Sequence, residues 1–196
     1  MSLFSLIGVS HATTGGNKFA GFEFTLSGTR ALTADLKAMP ADLLRAQRRA
    51  LVAVKRKVPT EARRDIQREY KLKAGRIKQG LRIRVTPTGI KLIGSARGIN
   101  AIQLGATWSR RNKIGAKFSA FRGAPNEQHP GTFIATGRSG NRLVFERRGK
   151  GRLPLDAVYI ASIGQMLKHQ GRPDRIANFA QDVLTSELDR LLHITA

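Results

Sequence analysis

The groups available for chemistry in this 196-residue chain are four histidines, thirteen Asp and Glu carboxylates and no cysteine. The histidines are His11, His129, His169 and His193. None stands in HExxH or HxH spacing, the arrangements that turn two imidazoles toward one metal. The absence of cysteine removes a disulfide framework, thiolate-bound zinc and a thiol nucleophile. Glu127-Gln128-His129-Pro130 sets a carboxylate near an imidazole, like a fragment of a nuclease motif. It lacks the later His and Asn, or the second metal carboxylate, that such chemistry needs, so it is read as a solvated loop. Gly94 to Gly98 and Gly137 to Gly140 lack the GxxxxGK[ST] spacing of a phosphate cradle and read as turns. Asp182, Glu187 and Asp189 are expected as solvated side chains of one late helix, and no GxSxG elbow is present. The chain reads as a non-enzyme, with no cofactor and no metal expected.

The cations carry more information. Lys and Arg number 35 against 13 Asp and Glu, a formal charge of +22. Such a chain repels itself and calls for an anionic partner: nucleic acid, an acidic protein surface or a membrane. Hydrophobic residues make up 41%, enough for a core and too many for a disordered basic tail. One basic cluster is Ser109 to Lys117, with Arg110, Arg111, Lys113 and Lys117. A second is Arg147-Arg148-Gly149-Lys150-Gly151-Arg152. A third is the helical run at 41–57. Guanidinium forks and lysine point charges both suit phosphate oxygens. Trp108 and two tyrosines make a weak stacking platform, and nothing offers an evident base-reading device. The expected contact is with the backbone of double-stranded DNA, without sequence preference and with strong salt dependence. The alternative is a solvated loop, or one that pairs with an acidic neighbouring subunit.

The elements that must carry these groups follow from periodicity. Residues 1–20 read as an extended arm, frayed or ordered against a neighbour, and 21–196 as a single domain with a basic loop at 105–131. The apolar start at Leu3 to Val9 has no basic residue before it and makes a poor secretory signal. Phe22 to Leu26 alternates like a half-buried strand. Leu43, Leu44, Ala50, Leu51, Val54 and Val58 recur at helical spacing, with Arg45, Arg48, Arg49, Lys55 and Arg56 mostly opposite. Pro59 either kinks one long helix or opens a second that runs to about Tyr70. Leu81 to Val85 and Ile90 to Ile93 flank a Pro87-Thr88-Gly89 turn. Asn100 to Leu104 reads as extended, and 105–131 as irregular. Thr132 to Thr136 and Leu143 to Glu146 form a second hairpin. Pro173-Asp174 opens a helix whose stripe is Ile176, Phe179, Ala180, Val183, Leu184, Leu188 and Leu191. The predicted class is α+β: an antiparallel sheet of hairpins packed by a long helix from the N-terminal half and a C-terminal helix.

One stretch is familiar in its order. Gly131-Thr132-Phe133-Ile134-Ala135 leads to Gly140-Asn141-Arg142-Leu143-Val144-Phe145, then to the basic turn at 147–152 and Leu153-Pro154-Leu155, then Val158-Tyr159 and Ser162-Ile163. This resembles the prophage minor tail protein Z family of lambda-like siphophages, well over 80–192 and more loosely over 40–79. Phe133, Gly140, Val144, Phe145 and Pro154 are the structural residues of the resembling motif. The resemblance implies a virion protein of the tail or neck, made in the host cytoplasm, that completes the head-proximal end of the tail. It also implies self-association in a ring, commonly a hexamer, and contact with tail tube, tail terminator and head–tail connector proteins. Double-stranded DNA would pass along the axis, beside Arg110, Arg111, Lys113, Lys117, Arg147, Arg148, Lys150 and Arg152. The rival readings are a stand-alone nucleic-acid-binding protein or nuclease and, more weakly, a membrane-surface protein using the helix at 41–57. No membrane partner is expected.

Overall fold

The computed structural model describes residues 9–10, 19–24, 41–86, 89–111, 114–147, 149, 151 and 153–195. Most of the expected arm at 1–20, Thr25-Leu26 and the Pro87-Thr88 turn lie outside them.

Helix α1, Ala41–Glu69, is 29 residues long. Ala46, Ala50, Val54, Val58, Ala62 and Ile66 are buried at a strict spacing of four, and buried Tyr70 continues the row just past the end. Spacing of four keeps a single ridge on one side of a helix. Pro59 lies inside the helix and does not divide it. The ridge packs against α4, Arg172–Thr195. There Ile176, Ala177, Ala180, Val183, Leu184 and Leu191 are buried, with Phe179 and Leu188 half-buried against them. Pro173 in the first turn needs no N–H partner, which suits its place there. Each fully buried Val or Ile in this seam contributes roughly 1.5–3 kcal/mol.

The first hairpin forms as the alternation predicted. β3, Leu81–Thr86, pairs with β4, Gly89–Ser95, in antiparallel register. β1, Val9–Ser10, and β2, Phe19–Phe24, extend it to a sheet in the order β1-β2-β4-β3. Ile90, Leu92 and Gly94 are the buried face of β4. α3, Ile163–Lys168, lies across β2 and β4. It comes so close that a Cβ on Gly94 would stand 2.6 Å from the Gly164 nitrogen. α3 escaped the periodicity reading because it is short. Its start is nevertheless written in a capping box: Ser162 Oγ accepts from Gln165 N at 3.2 Å, and Gln165 Oε1 accepts from Ser162 N at 2.8 Å. α2, Ala74–Gly80, precedes β3.

The second hairpin also forms. β8, Thr132–Thr136, pairs with β9, Arg142–Arg147, and β10, Leu155–Ala157, adds to the other edge of β9. β11, Tyr159–Ser162, pairs with β5, Gly98–Asn100. The class is α+β as predicted, with the strands divided among several small antiparallel sheets.

Two segments differ from the sequence reading. Ala101–Leu104 is a 3-10 helix, not an extended stretch. Asn100 is buried, and its Oδ1 accepts from both Ile102 N at 3.1 Å and Val144 N at 3.0 Å. Its Nδ2 donates to Val144 O at 3.2 Å. One amide thus caps the 3-10 turn and pins it to β9, and Gly105, at φ 77°, ends it. Within 105–131, β6, Gly115–Phe118, pairs with β7, Glu127–Pro130, where an irregular loop was expected.

The two long helices are also joined by charge. Arg172, 1% exposed, donates from Nε to Asp65 Oδ2 at 2.7 Å and from Nη2 to Glu69 Oε2 at 2.6 Å. Nη1 donates to Met166 O, the last turn of α3. The guanidinium stands 5.9 Å from the Tyr70 ring centre. Arg175 Nη2 reaches Asp65 Oδ2 at 2.9 Å, and His169 Nδ1 lies 3.2 Å from Glu69 Oε1. Asp65 and Glu69 are one turn apart on α1, and they also face the N-terminus of α4, where its dipole favours negative charge. Burial pushes the Asp65 carboxyl up, but hydrogen bonds and charge from Arg172 and Arg175 outweigh it and hold the group below its ordinary value.

Replacing Arg172 with Met is predicted to destabilise the fold by about 3–5 kcal/mol in urea unfolding, because two carboxylates lose their buried partner. A loss under about 1 kcal/mol would contradict the network. The ionised form of Asp65 is the one the fold favours. Its stabilisation is complete above the unfolded carboxyl value and disappears as pH falls through the lowered folded value. Thermal stability of the wild type is therefore predicted to drop below about pH 4, and the drop in Asp65→Asn to be smaller. Parallel acid limbs in the two proteins would refute this.

Candidate functional site

The hairpin β8–β9 organises the expected basic residues. Val144 is fully buried under it, while Phe133 and Phe145 are half-buried with ring centres 6.3 Å apart. The Trp108 ring centre also lies 6.3 Å from that of Phe133. Arg147, the last residue of β9, is exposed and holds its guanidinium 5.3 Å from the Phe133 ring centre. Arg110 lines a hollow of about 550 Å³ together with Trp108, Phe133, Thr136 and Arg142. Residues from both predicted basic clusters therefore meet around one aromatic side chain. Gly140 takes φ 77° in the turn that lets β8 return as β9, and Pro154 leads into β10.

The other candidates are placed less closely. Arg111 is exposed in the turn before β6. Lys117 is exposed on β6, between buried Ala116 and Phe118, and its backbone exchanges hydrogen bonds with Thr107 at 2.8 and 3.0 Å. Lys113, Arg148, Lys150 and Arg152 lie outside the described residues. On α1, Arg45, Arg48, Arg49, Lys55 and Arg56 are all exposed.

Two acidic readings are corrected. Glu127 to Pro130 is strand β7, not a loop. His129 stacks on Phe118 at 3.8 Å and its Nε2 lies 3.3 Å from Phe118 O, so this imidazole is part of the β6–β7 pairing. Glu187 is not simply solvated. Lys57 Nζ reaches its Oε1 at 2.8 Å, Arg190 Nη2 its Oε2 at 3.0 Å, and these two hydrogen bonds lower its pKa. Among the described residues no group of three His, Asp or Glu stands close enough to hold a metal. No described helix is long and apolar enough to cross a membrane.

Sequence reasoning missed the arginines that come together from distant segments. Arg76 of α2, Arg97 before β5 and Arg142 of β9 line a second hollow of about 780 Å³, with Gln79, Gln103, Asn141 and Tyr159. Arg82 joins Arg76 and Arg97 around an adjoining hollow of about 620 Å³. The exposed arginine positions of β3 were visible in its alternation. Their convergence with β9 was not, because it depends on how the two hairpins are set against each other.

The family model for prophage minor tail protein Z covers residues 28–194. The chain belongs to that family. The match covers both the stretch at 80–192 and the helical 40–79, where the resemblance was looser. The minor tail protein Z family makes this chain a structural component of a phage tail and hence of the virion. No curated protein and no solved structure matches the chain.

Trp108 is the single tryptophan, so its emission reports on the aromatic cluster. Phe133→Ala is predicted to shift that emission to the red in the folded protein, by opening the ring to water. An unchanged spectrum would contradict the packing of Trp108 on Phe133.

Proposed function

We propose that this tail protein completes the head-proximal end of the tail, in a homo-oligomeric ring whose basic surface faces the DNA channel. The observation that carries the proposal is the excess of cations, 35 Lys and Arg against 13 acids, in a protein of the tail family. Arg110, Arg111, Lys117 and Arg147 are exposed, as are Arg45, Arg48, Arg49 and Arg56 of α1. A phosphate backbone supplies the counter-charge at regular spacing and needs no base reading. Lys113, Arg148, Lys150 and Arg152 belong to the same proposal by their place in the sequence.

Ring formation finds support in apolar side chains left at the surface. Val52 is 65% exposed, Ile114 59% and Leu153 73%. Such side chains are available to subunit contacts in a symmetric assembly. The proposed neighbours are the tail tube, the tail terminator and the head–tail connector, and six copies is the proposed number.

Subunits of charge +22 repel one another, and added salt screens that repulsion over about 10 Å at 0.1 M. The mass of the purified protein is therefore predicted to be that of a hexamer at physiological salt and to persist when salt is raised. A monomer at both salt concentrations, together with absence from purified phage particles, would overturn the proposal.

A further inference from the structure

Three hollows share lining residues. The hollow of about 780 Å³ shares Arg76, Gln79 and Arg97 with the hollow of about 620 Å³. It shares Arg142 with the hollow of about 550 Å³ beside Trp108. Together they make a trough that starts at β3, crosses α2 and the turn before β5, passes β9 and ends at Arg110. Five arginines from five segments line it, and no carboxylate does.

That composition contrasts with the contact between α1 and α4, where arginines are matched by acids: Arg172 by Asp65 and Glu69, Arg175 by Asp65, Arg68 by Glu61, Arg190 by Glu187. Among the described residues no carboxylate pairs with Arg76, Arg97, Arg110 or Arg142. The remaining polar groups of the trough are amides and hydroxyls, among them Gln79, Gln103 and Asn141. These donate hydrogen bonds without cancelling positive charge. Gathering guanidinium groups in a concavity focuses positive potential and is unfavourable until an anion enters. Each hollow, at about 550 to 780 Å³, has far more room than one phosphate group needs. Three in succession fit a polymer that repeats its charge along its length.

We infer that this trough is where the chain grips the sugar–phosphate backbone of double-stranded DNA, with Arg76, Arg97 and Arg142 as the central contacts. The inference rests on the reading of the chain as a DNA-proximal tail protein. It moves the principal contact away from the loop residues singled out in the sequence and onto groups brought together by folding. Arginine forks hold phosphate oxygens in pairs, so the grip is firm and indifferent to sequence. Tyr159, 57% exposed at the wall of the trough, offers a flat face to the sugar edge.

The test is fluorescence anisotropy with a labelled duplex, over a salt series, on the full chain. The trough variant is Arg76→Gln/Arg97→Gln/Arg142→Gln. The comparison variant removes the same charge from the exposed face of α1: Arg48→Gln/Arg49→Gln/Arg56→Gln. The trough variant is expected to lose about tenfold or more in affinity and to flatten the salt slope by about three units, one per lost phosphate contact. The α1 variant is expected to lose several-fold less. Arg97→Gln alone, in an exposed turn, is expected to show about one unit of that change and guards against misfolding of the triple variant. Equal losses in the two triple variants, or a larger loss on α1, would overturn the trough while leaving DNA contact standing. No binding by the wild type at low salt would overturn both the trough and the DNA-channel reading. Displacement of the duplex by poly-glutamate as readily as by unlabelled DNA of equal charge would assign the trough to an acidic protein instead.

Discussion

The fold depends on one guanidinium. Arg172 is the largest of the fully buried side chains, and it stands where α1, α3 and α4 meet. Its donors reach two carboxylates of α1 and a carbonyl of α3. A buried charge is tolerated only when paired and hydrogen-bonded, so the geometry of all three helices is constrained together. The Arg172 contacts join α1, α3 and α4 at one end of the apolar ridge that α1 packs against α4.

That arrangement reaches the sheets. α3 is held at one end by Arg172 on Met166 O and at the other by the Ser162 capping box. Its backbone then lies directly on Gly94 of β4. Ser162 also ends β11, which pairs with β5, and β5 runs into Asn100 and so to β9. A chain of short contacts thus connects the helix pair to both hairpins. The mutual placement of Arg76, Arg97 and Arg142 depends on it. Asp65 and Glu69 are engaged by Arg172 at the helix pair, and the chain as a whole keeps an excess of cations.

Much of this was legible in the sequence. The stripe from Ile176 to Leu191 gave the last helix, while alternation in Leu81 to Val85 and the turns that the other segments flank gave both hairpins to within two residues. The long helix was legible, but not its continuity through Pro59, since a proline inside a helix and one opening a helix look alike in sequence. The 3-10 turn at Ala101–Leu104 was hidden because its cause, Asn100 bonded to Val144, is contact between residues 44 apart in the chain. Arg172 was hidden too. In sequence it is one more arginine beside a helix start, and burial of a cation is visible only once Asp65 and Glu69 face it. The candidate site divides in the same way. Arg110 and Arg147 came from local clusters, and the fold brought them to Phe133. The trough arginines belong to no cluster, so local composition could not indicate them.

Membership of the minor tail protein Z family makes the chain a virion protein, and the proposed position beside DNA would give its excess of cations a physical sense. A passive cationic lining holds DNA by counter-charge and has no need of catalytic groups or base readers. The most direct test of that position is electron cryomicroscopy of the intact phage. The account predicts a ring of density matching the α1–α4 pair at the head-proximal end of the tail, with the arginine trough turned toward the DNA. Density for the chain at the distal tip, or none in the particle, would contradict it.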